Sequence, residues 1–261
     1  MSRQYVVVAG LNDEATATAI RFYRAGIPVI LMDVEDTPPS IYAHRNFSHL
    51  LTLGRKERFG VEARTFADYS YHTPADINDS TAFVSRCIAD RLIPCLREEE
   101  LAAVARDNEL TLLCCVPLPS APAAVTEIYA LEGCRTPRTR YTVDYSGMVL
   151  YPALEYETTD ASIYESGGLL KAPVDGVVQT IKSVGDAIRI HEPLLHIDRH
   201  NVESETEGIL TGILPSGSFI KAGTVVARVE KGAKHIERLP AQSWAVAGAF
   251  LELFFYEKKL K

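Results

Sequence analysis

The sequence lacks the features of several large classes of protein. Its five cysteines are odd in number and form no C-x-x-C pair, which argues against a disulfide framework and a zinc ribbon. The longest apolar run, residues 245–256, contains Glu252 and is too short to span a membrane. The chain opens without the basic segment and apolar run of a secretory signal. We therefore expect a cytoplasmic protein with no membrane insertion and with buried, unreactive thiols.

Positive charge is also scarce, with 27 lysines and arginines against 34 aspartates and glutamates, a net charge of -7. The basic residues are scattered, so neither nucleic acid nor an anionic membrane is expected as the main partner. His44 and His49 lie five residues apart, which does not place them on one helical face as a metal pair would require. No nucleophile is paired with a base in the sequence. We predict no metal, no cofactor and no catalytic residue, and we favour a non-catalytic protein over an enzyme.

The start of the chain has the pattern of a β-α-β unit. Residues 5–10 form a β-branched run that ends in a polar turn. A helical pattern follows, which Asp13 would cap and Gly26 would end. Residues 28–33 then return as a second apolar strand. This order is typical of a parallel, doubly wound sheet.

The α/β pattern continues beyond this first unit. A further strand is predicted at residues 60–66, an amphipathic helix at 98–106 and a buried strand at 110–116. We therefore predict a Rossmann-like parallel α/β domain over residues 1–120. Residues 121–167 are rich in proline, threonine, tyrosine and acidic side chains, and they are predicted to form an irregular connector.

An internal duplication follows the connector. Residues 174–197 and 206–229 align without a gap at an offset of 32, and the turn glycines Gly176 and Gly208 coincide. Such repeats predict two halves that interlock into a flattened β-barrel. The motif A-P-x-x-G, followed by G-D, resembles the first half of a biotinyl or lipoyl domain. A barrel-sandwich hybrid of that type is expected over residues 168–232.

The hairpin that would join the two halves lacks the residue that a carrier domain modifies. In biotinyl and lipoyl domains the modified lysine lies on this hairpin. Here residues 196–203 read HIDRHNVE and contain no lysine. Covalent biotin or lipoate is therefore not expected.

The loop after the first strand resembles part of a dinucleotide-binding fingerprint, G-x-G-x-x-G. Gly10 matches, but Asn12 replaces the second glycine, and Asp13 and Glu14 add negative charge where a phosphate would lie. Asp33 ends the second strand, in the position of an acid that binds a ribose. A nucleotide- or NAD(P)-binding enzyme or sensor using Gly10, Asn12, Asp13 and Asp33 is the alternative function.

The last segment, residues 233–261, is predicted to contain a helix that returns to the α/β domain. Its apolar side chains form one broad face, larger than a small barrel needs as a cap. The members of this face are Trp244, Val246, Ala249, Phe250, Leu253 and Phe254. The barrel would then be an insertion in the chain of the α/β domain.

Two blocks of the chain carry a family resemblance. The N-terminal block contains GLNDEA at residues 10–15, RAGIPVI at 24–30, and the boxes PPSIYA, FSHLL and GVEA within 38–63. The C-terminal block is the barrel followed by an alanine-rich helix. Both resemble the YqeB family, accessory proteins of selenium-dependent molybdenum hydroxylases. The resemblance implies a non-catalytic accessory or maturation protein, whose partner is a larger redox enzyme or its maturation machinery. It leaves open whether the chain forms a homo-oligomer.

The sequence departs from that family at three places. Tyr42 and Ala43 stand where the family has an arginine pair, and Asn12 stands where its loop has a second glycine. The family's G-P-G-F loop has no counterpart between Thr111 and Gly168. Because all three changes remove groups suited to holding an anion, the resemblance implies an architecture rather than a binding site.

Overall fold

The computed structural model describes residues 3–34, 39–72, 77, 79–150 and 168–260. The chain divides into two compact units. The first takes in the described residues up to 34, from 49 to 150 and from 240 onward. The second takes in residues 39–48 and 168–239.

A nine-stranded sheet forms the centre of the first unit. Its strands are β1 (Arg3–Ala9), β2 (Val29–Met32), β3 (Arg55–Arg58), β4 (Val61–Thr65), β5 (Ile93–Leu96), β6 (Asn108–Cys114), β7 (Glu127–Leu131), β8 (Tyr141–Val143) and β9 (Val149–Leu150). Their order is β3-β4-β5-β2-β1-β6-β7-β8-β9, with β3 and β9 antiparallel to their neighbours and the other pairs parallel. From β5 to β8 this is the 3-2-1-4-5-6 order of dinucleotide-binding folds. The predicted Rossmann-like α/β fold is therefore confirmed.

The helices of the first unit cover this sheet. They are α1 (Asp13–Arg24), α2 (Leu50–Leu53), α3 (Phe66–His72), α4 (Ser80–Ala89), α5 (Glu98–Ala105) and α6 (Ala241–Leu260). The last five residues of both central strands, β1 and β6, are buried without alternation, which indicates that the sheet is covered on both faces there. None of the helices in the described residues combines the length and apolar character that a membrane crossing needs.

The C-terminal helix α6 packs on α1, as the sequence predicts. The rings of Phe22 and Phe254 meet edge to face with their centroids 5.5 Å apart. Arg21 Nη1 donates to the Trp244 carbonyl oxygen at 2.8 Å. A Cβ on Gly248 would lie 3.2 Å from that same guanidinium nitrogen, so a glycine here lets the arginine lie along the helix.

The expected connector at residues 121–167 is partly wrong. Strands β7, β8 and β9 lie between residues 127 and 150, and they extend the sheet on the far side of β6. They are five residues long or shorter, so their pattern is too brief to distinguish from a loop. They are defined by pairing in succession, β7 with β6, β8 with β7 and β9 with β8. Residues 151–167 of this prediction lie outside the described residues.

The second unit is a two-fold barrel of eight short strands. They are β10 (Leu169–Lys171), β11 (Gly176–Thr180), β12 (Ala187–Ile188), β13 (Pro193–Ile197), β14 (His200–Glu203), β15 (Gly208–Ile213), β16 (Phe219–Ile220) and β17 (Val225–Glu230). One sheet has the order β10-β17-β15-β12 and the other β14-β13-β11-β16. A shift of 32 residues relates each strand of one sheet to its counterpart in the other, so the duplication in the sequence is also a duplication of topology.

An upstream segment, residues 39–48, completes the barrel core. Ile41 is buried with the barrel's aliphatic side chains, and its carbonyl oxygen accepts from Ile213 N at 2.9 Å. Tyr42 accepts from Arg228 Nη1 at 2.9 Å and lies against Gly212, where a Cβ would come within 2.9 Å of its ring. The sequence analysis places this segment in the α/β domain, because nothing local signals a partner more than 160 residues away.

Candidate functional site

The predicted site lies where the strand order of the nine-stranded sheet reverses. β1 and β6 are neighbours, and the chain runs outward from them in opposite directions. The loops that follow the carboxyl ends of two such strands leave a crevice, which is the usual ligand site of an open α/β sheet. We define the switch-point site as the residues that follow the carboxyl ends of β1, β2, β6, β7 and β8.

Gly10 begins the first loop of the switch-point site. Its φ of 103° is in a region that favours glycine, and its N–H donates to the Met32 carbonyl oxygen at 2.9 Å. A Cβ at this position would lie 2.7 Å from Val116 Cγ1. The glycine thus permits close packing between the loops after β1 and β6.

Asn12 closes the start of helix α1. Its Oδ1 accepts from Ala15 N at 3.0 Å, and its Nδ2 donates to the Cys115 carbonyl oxygen at 3.1 Å. Asp13 is not the cap predicted from the sequence: Asn12 has the extended backbone of an N-cap, and Asp13 is the first helical residue. The carboxamide therefore satisfies a free N–H of the helix terminus that would otherwise be available to a phosphate.

Acidic side chains surround the same helix terminus. Asp13 is 7% exposed, and Glu14 Oε1 accepts from the hydroxyl of Ser243 on α6 at 3.1 Å. Burial and then the charge of Glu14 raise the pKa of Cys115 well above its ordinary value. These two carboxylates neutralise the positive end of the helix dipole. The helix terminus is therefore poorly suited to an anionic ligand.

Asp33 follows the neighbouring strand β2. Its N–H donates to the Leu96 carbonyl oxygen at 2.9 Å and so continues the pairing of β2 with β5. The structure thus places Gly10 and Asn12 in the loop after β1, Asp13 at the start of α1, and Asp33 after the neighbouring strand β2. Whether these residues bind a nucleotide stays a prediction.

The sequence analysis missed a group of titratable residues after β7 and β8. Both carboxylate oxygens of Glu132 are buried, and neither has a hydrogen-bond partner among the described residues. Burial and the charge of Asp144 raise the pKa of Glu132. Burial, with Cys134 and Glu14 next, raises the pKa of Tyr145 to about 12. A signal was available, because Glu132 directly follows β7 and Asp144 directly follows β8, but those strands were not recognised from the sequence.

The cysteines are buried as free thiols. Burial raises the pKa of Cys87, Cys114 and Cys134 to about 12. A thiol that stays protonated at neutral pH is a poor nucleophile and a poor metal ligand. Within the described part of the chain, no three His, Cys, Asp or Glu side chains are grouped to hold a metal ion.

The hairpin between β13 and β14 is the one that would carry the modified lysine in a biotinyl or lipoyl domain, and here it contains no lysine. The hairpin joins β13 to β14, and its turn residues are Asp198 and Arg199. Asp198 has a φ of 51°, and its Oδ1 accepts from Val177 N at 3.2 Å. An aspartate thus fastens the turn to β11 where a carrier would present a free amine.

These observations define a Rossmann-type α/β protein whose chain also forms a two-fold barrel. No protein-family model matches the chain. Over 235 residues it is 23% identical to the uncharacterized protein YqeB of Escherichia coli (strain K12), a match that covers 87% of this chain and 42% of that protein. The chain therefore spans less than half the length of the curated relative that it matches.

Solved structures offer more distant likenesses. An aspartoacylase family protein from Mesorhizobium loti is 10% identical with a TM-score of 0.27, and the match covers 90% of this chain and 86% of that one. The ectoine utilization protein EutE (DoeB) from Ruegeria pomeroyi is 12% identical with a TM-score of 0.25, over 87% of this chain and 85% of that one. At these scores neither structure informs the chemistry of this chain.

Proposed function

We propose that the protein is a non-catalytic accessory or maturation protein of a molybdenum-containing, selenium-dependent hydroxylase or of a related multi-subunit redox enzyme. The observation that carries the proposal is the switch-point site, where Asn12 satisfies the helix terminus and acids replace the groups that would hold an anion. The strand order is that of a nucleotide-binding fold, but the N-terminus of α1, where a phosphate would bind, is capped by the side chain of Asn12. The distant likeness to YqeB and the resemblance in the sequence support the same reading.

Co-purification from native cells tests this proposal. The full chain would carry an affinity tag, and the tag fused to an unrelated protein would serve as control. We expect a larger redox enzyme to co-purify in a fixed ratio, with molybdenum detected by elemental analysis of the eluate. Recovery of the tagged chain alone, at the purity of the control, would count against the proposal.

A nucleotide-binding enzyme or sensor is the second candidate, and two observations support it: the strand order of the sheet, and the positions of Gly10 after β1 and Asp33 after β2. Thermal melting with NAD(P) and with nucleoside triphosphates tests it, since a ligand at 100 times its Kd adds about 2.7 kcal/mol to stability. A rise in melting temperature that Asp33→Asn removes would favour this candidate. No rise with any nucleotide would dismiss it.

A further inference from the structure

A polar cleft lies at the amino-terminal edge of the nine-stranded sheet, at the opposite end of the strands from the switch-point site. Its walls are the first residues of β6 and β7 together with the end of α6, and its volume is about 260 Å³. We call it the amino-edge cleft. The lining residues that matter here are Glu109, Glu127, Tyr129, Phe254, Glu257 and Lys258.

Glu257 is the central feature of the amino-edge cleft. The residue is 3% exposed although it is a carboxylate near the end of a helix. Its Oε2 accepts from Arg140 Nη1 at 2.9 Å, while its Oε1 is buried and has no hydrogen-bond partner within the described ranges. Native proteins rarely leave a buried acceptor without a donor, so a missing donor is the first explanation to test.

The charges around Glu257 are unbalanced. The same Arg140 nitrogen is shared with Glu127 Oε1 at 3.2 Å, and Glu127 Oε2 accepts from the Tyr129 hydroxyl at 2.9 Å. The Tyr141 hydroxyl also hydrogen-bonds to the Glu257 carboxylate, and this bond is the main cause that raises the pKa of Tyr141. Oε1 is still the oxygen of Glu257 that has no donor among the described residues. Glu109 adds a third, exposed carboxylate to the lining. The guanidinium is therefore divided between two acids.

The rest of the lining leaves an excess of negative charge. Lys258 is the one basic residue among the lining residues, against the carboxylates of Glu109, Glu127 and Glu257, and its ammonium already occupies a face of the Phe254 ring, 4.5 Å from the ring centre. Burial, followed by the hydrogen bond to Glu127, raises the pKa of Tyr129, so this ring stays neutral. A buried carboxylate oxygen without a donor, in a lining with more carboxylates than bases, favours a group that carries both positive charge and N–H donors.

We propose that the amino-edge cleft binds a primary ammonium or guanidinium group, which donates to Glu257 Oε1. The group belongs either to a free small amine or to a lysine or arginine side chain of a protein that docks at this edge. Because both sources present the same chemistry, the cleft recognises the charged N–H group itself. The assignment does not depend on the accessory role proposed above.

Calorimetric titration of the full-length protein tests the assignment. The probes are n-butylammonium and methylguanidinium as free amines, the capped tripeptide acetyl-Gly-Arg-Gly-amide as a side chain, and tetramethylammonium as a cation without N–H donors. We expect the N–H donors to bind and tetramethylammonium to bind at least about tenfold more weakly. Tighter binding of the tripeptide would identify a protein side chain as the source, and tighter binding of the free amines a small molecule.

Two variants locate the binding. Glu257→Gln is expected to weaken the N–H probes at least about tenfold, whereas Glu252→Gln, at an exposed position of the same helix, leaves them unchanged. If Glu257→Gln melts early, Glu127→Gln is the second variant, and it should weaken the same probes. The assignment is overturned if no probe binds the wild type, if tetramethylammonium binds equally well, or if Mg²⁺ binds in place of the amines.

Discussion

At the scale of single residues, Asn12 joins two loops of the switch-point site through one carboxamide. Replacing it with alanine removes the helix cap and the bond to the Cys115 carbonyl together. Loss of an N-cap alone costs about 1 kcal/mol, so we expect Asn12→Ala to lower the free energy of unfolding by about 1–2 kcal/mol. Urea denaturation would measure this. Asn12→Asp keeps the cap acceptor and should recover part of the loss; equal losses in both variants would show that the cap contributes nothing.

Lys56 links the stability of the first unit to pH. It is 8% exposed on β3, and burial, followed by the charge of Arg58, lowers its pKa to about 7 from 10.5. Between pH 7 and pH 10 Lys56 is protonated in the unfolded chain and has lost its proton in the folded protein. The contribution of Lys56 to the free energy of unfolding therefore increases as the pH rises through this range. The measurement is the difference in unfolding free energy between wild type and Lys56→Met, because the shared titration of other groups then cancels. A difference that stays flat with pH would contradict the prediction.

At the scale of elements, α6 is held by its buried aromatic face. Phe250 is fully buried, whereas Phe255 on the same helix is 46% exposed. Truncating a buried phenylalanine costs about 3–5 kcal/mol, so Phe250→Ala is expected to lose that amount in urea denaturation. Phe255→Ala is the matched control and should lose less than about 1 kcal/mol. Similar losses for both would mean that the helix does not depend on this face.

The segment 39–48 is an element of the barrel despite its place in the sequence. Tyr42 packs on Gly212 and accepts from Arg228, so Tyr42→Ala removes both the ring contact and the hydrogen bond. We expect it to destabilise the second unit by about 2–4 kcal/mol. Tyr42→Phe keeps the ring and should cost about 1 kcal/mol. Amide hydrogen exchange of β15 and β17 measures the stability of this unit. If Tyr42→Ala leaves the protection of these amides unchanged, the contacts of Tyr42 with Gly212 and Arg228 do not stabilise the barrel.

At the scale of the whole molecule, the barrel hairpin predicts an unmodified chain. Its turn is Asp198-Arg199, and no amine is present for biotin or lipoate to acylate. When this 261-residue chain is produced in cells that attach biotin and lipoate to their own carrier domains, its intact mass is therefore expected to equal the 28.8 kDa of its sequence. An additional mass equal to either prosthetic group would refute this.

The sequence alone determined the parts of the molecule that are local. Residues 3–32 read directly as β1, α1 and β2, because apolar periodicity and a turn glycine lie within one window. The offset of 32 residues predicted the two halves of the barrel, since each half repeats the same turns and inward-facing side chains. The broad apolar face of α6 predicted that it would be buried, because water does not favour so large an exposed face.

The tertiary structure decided what depends on partners distant in the chain. β7 to β9 are too short to be recognised until β6 pairs with β7, β7 with β8, and β8 with β9. Tyr42 joins the barrel through Arg228, 186 residues away, and no local pattern signals that contact. The sequence showed that Asn12 had replaced a glycine, but only the fold showed that its carboxamide bonds the end of β6 and satisfies the helix terminus. The physical reason is common to all three: their stabilising partners become neighbours only when the chain has folded.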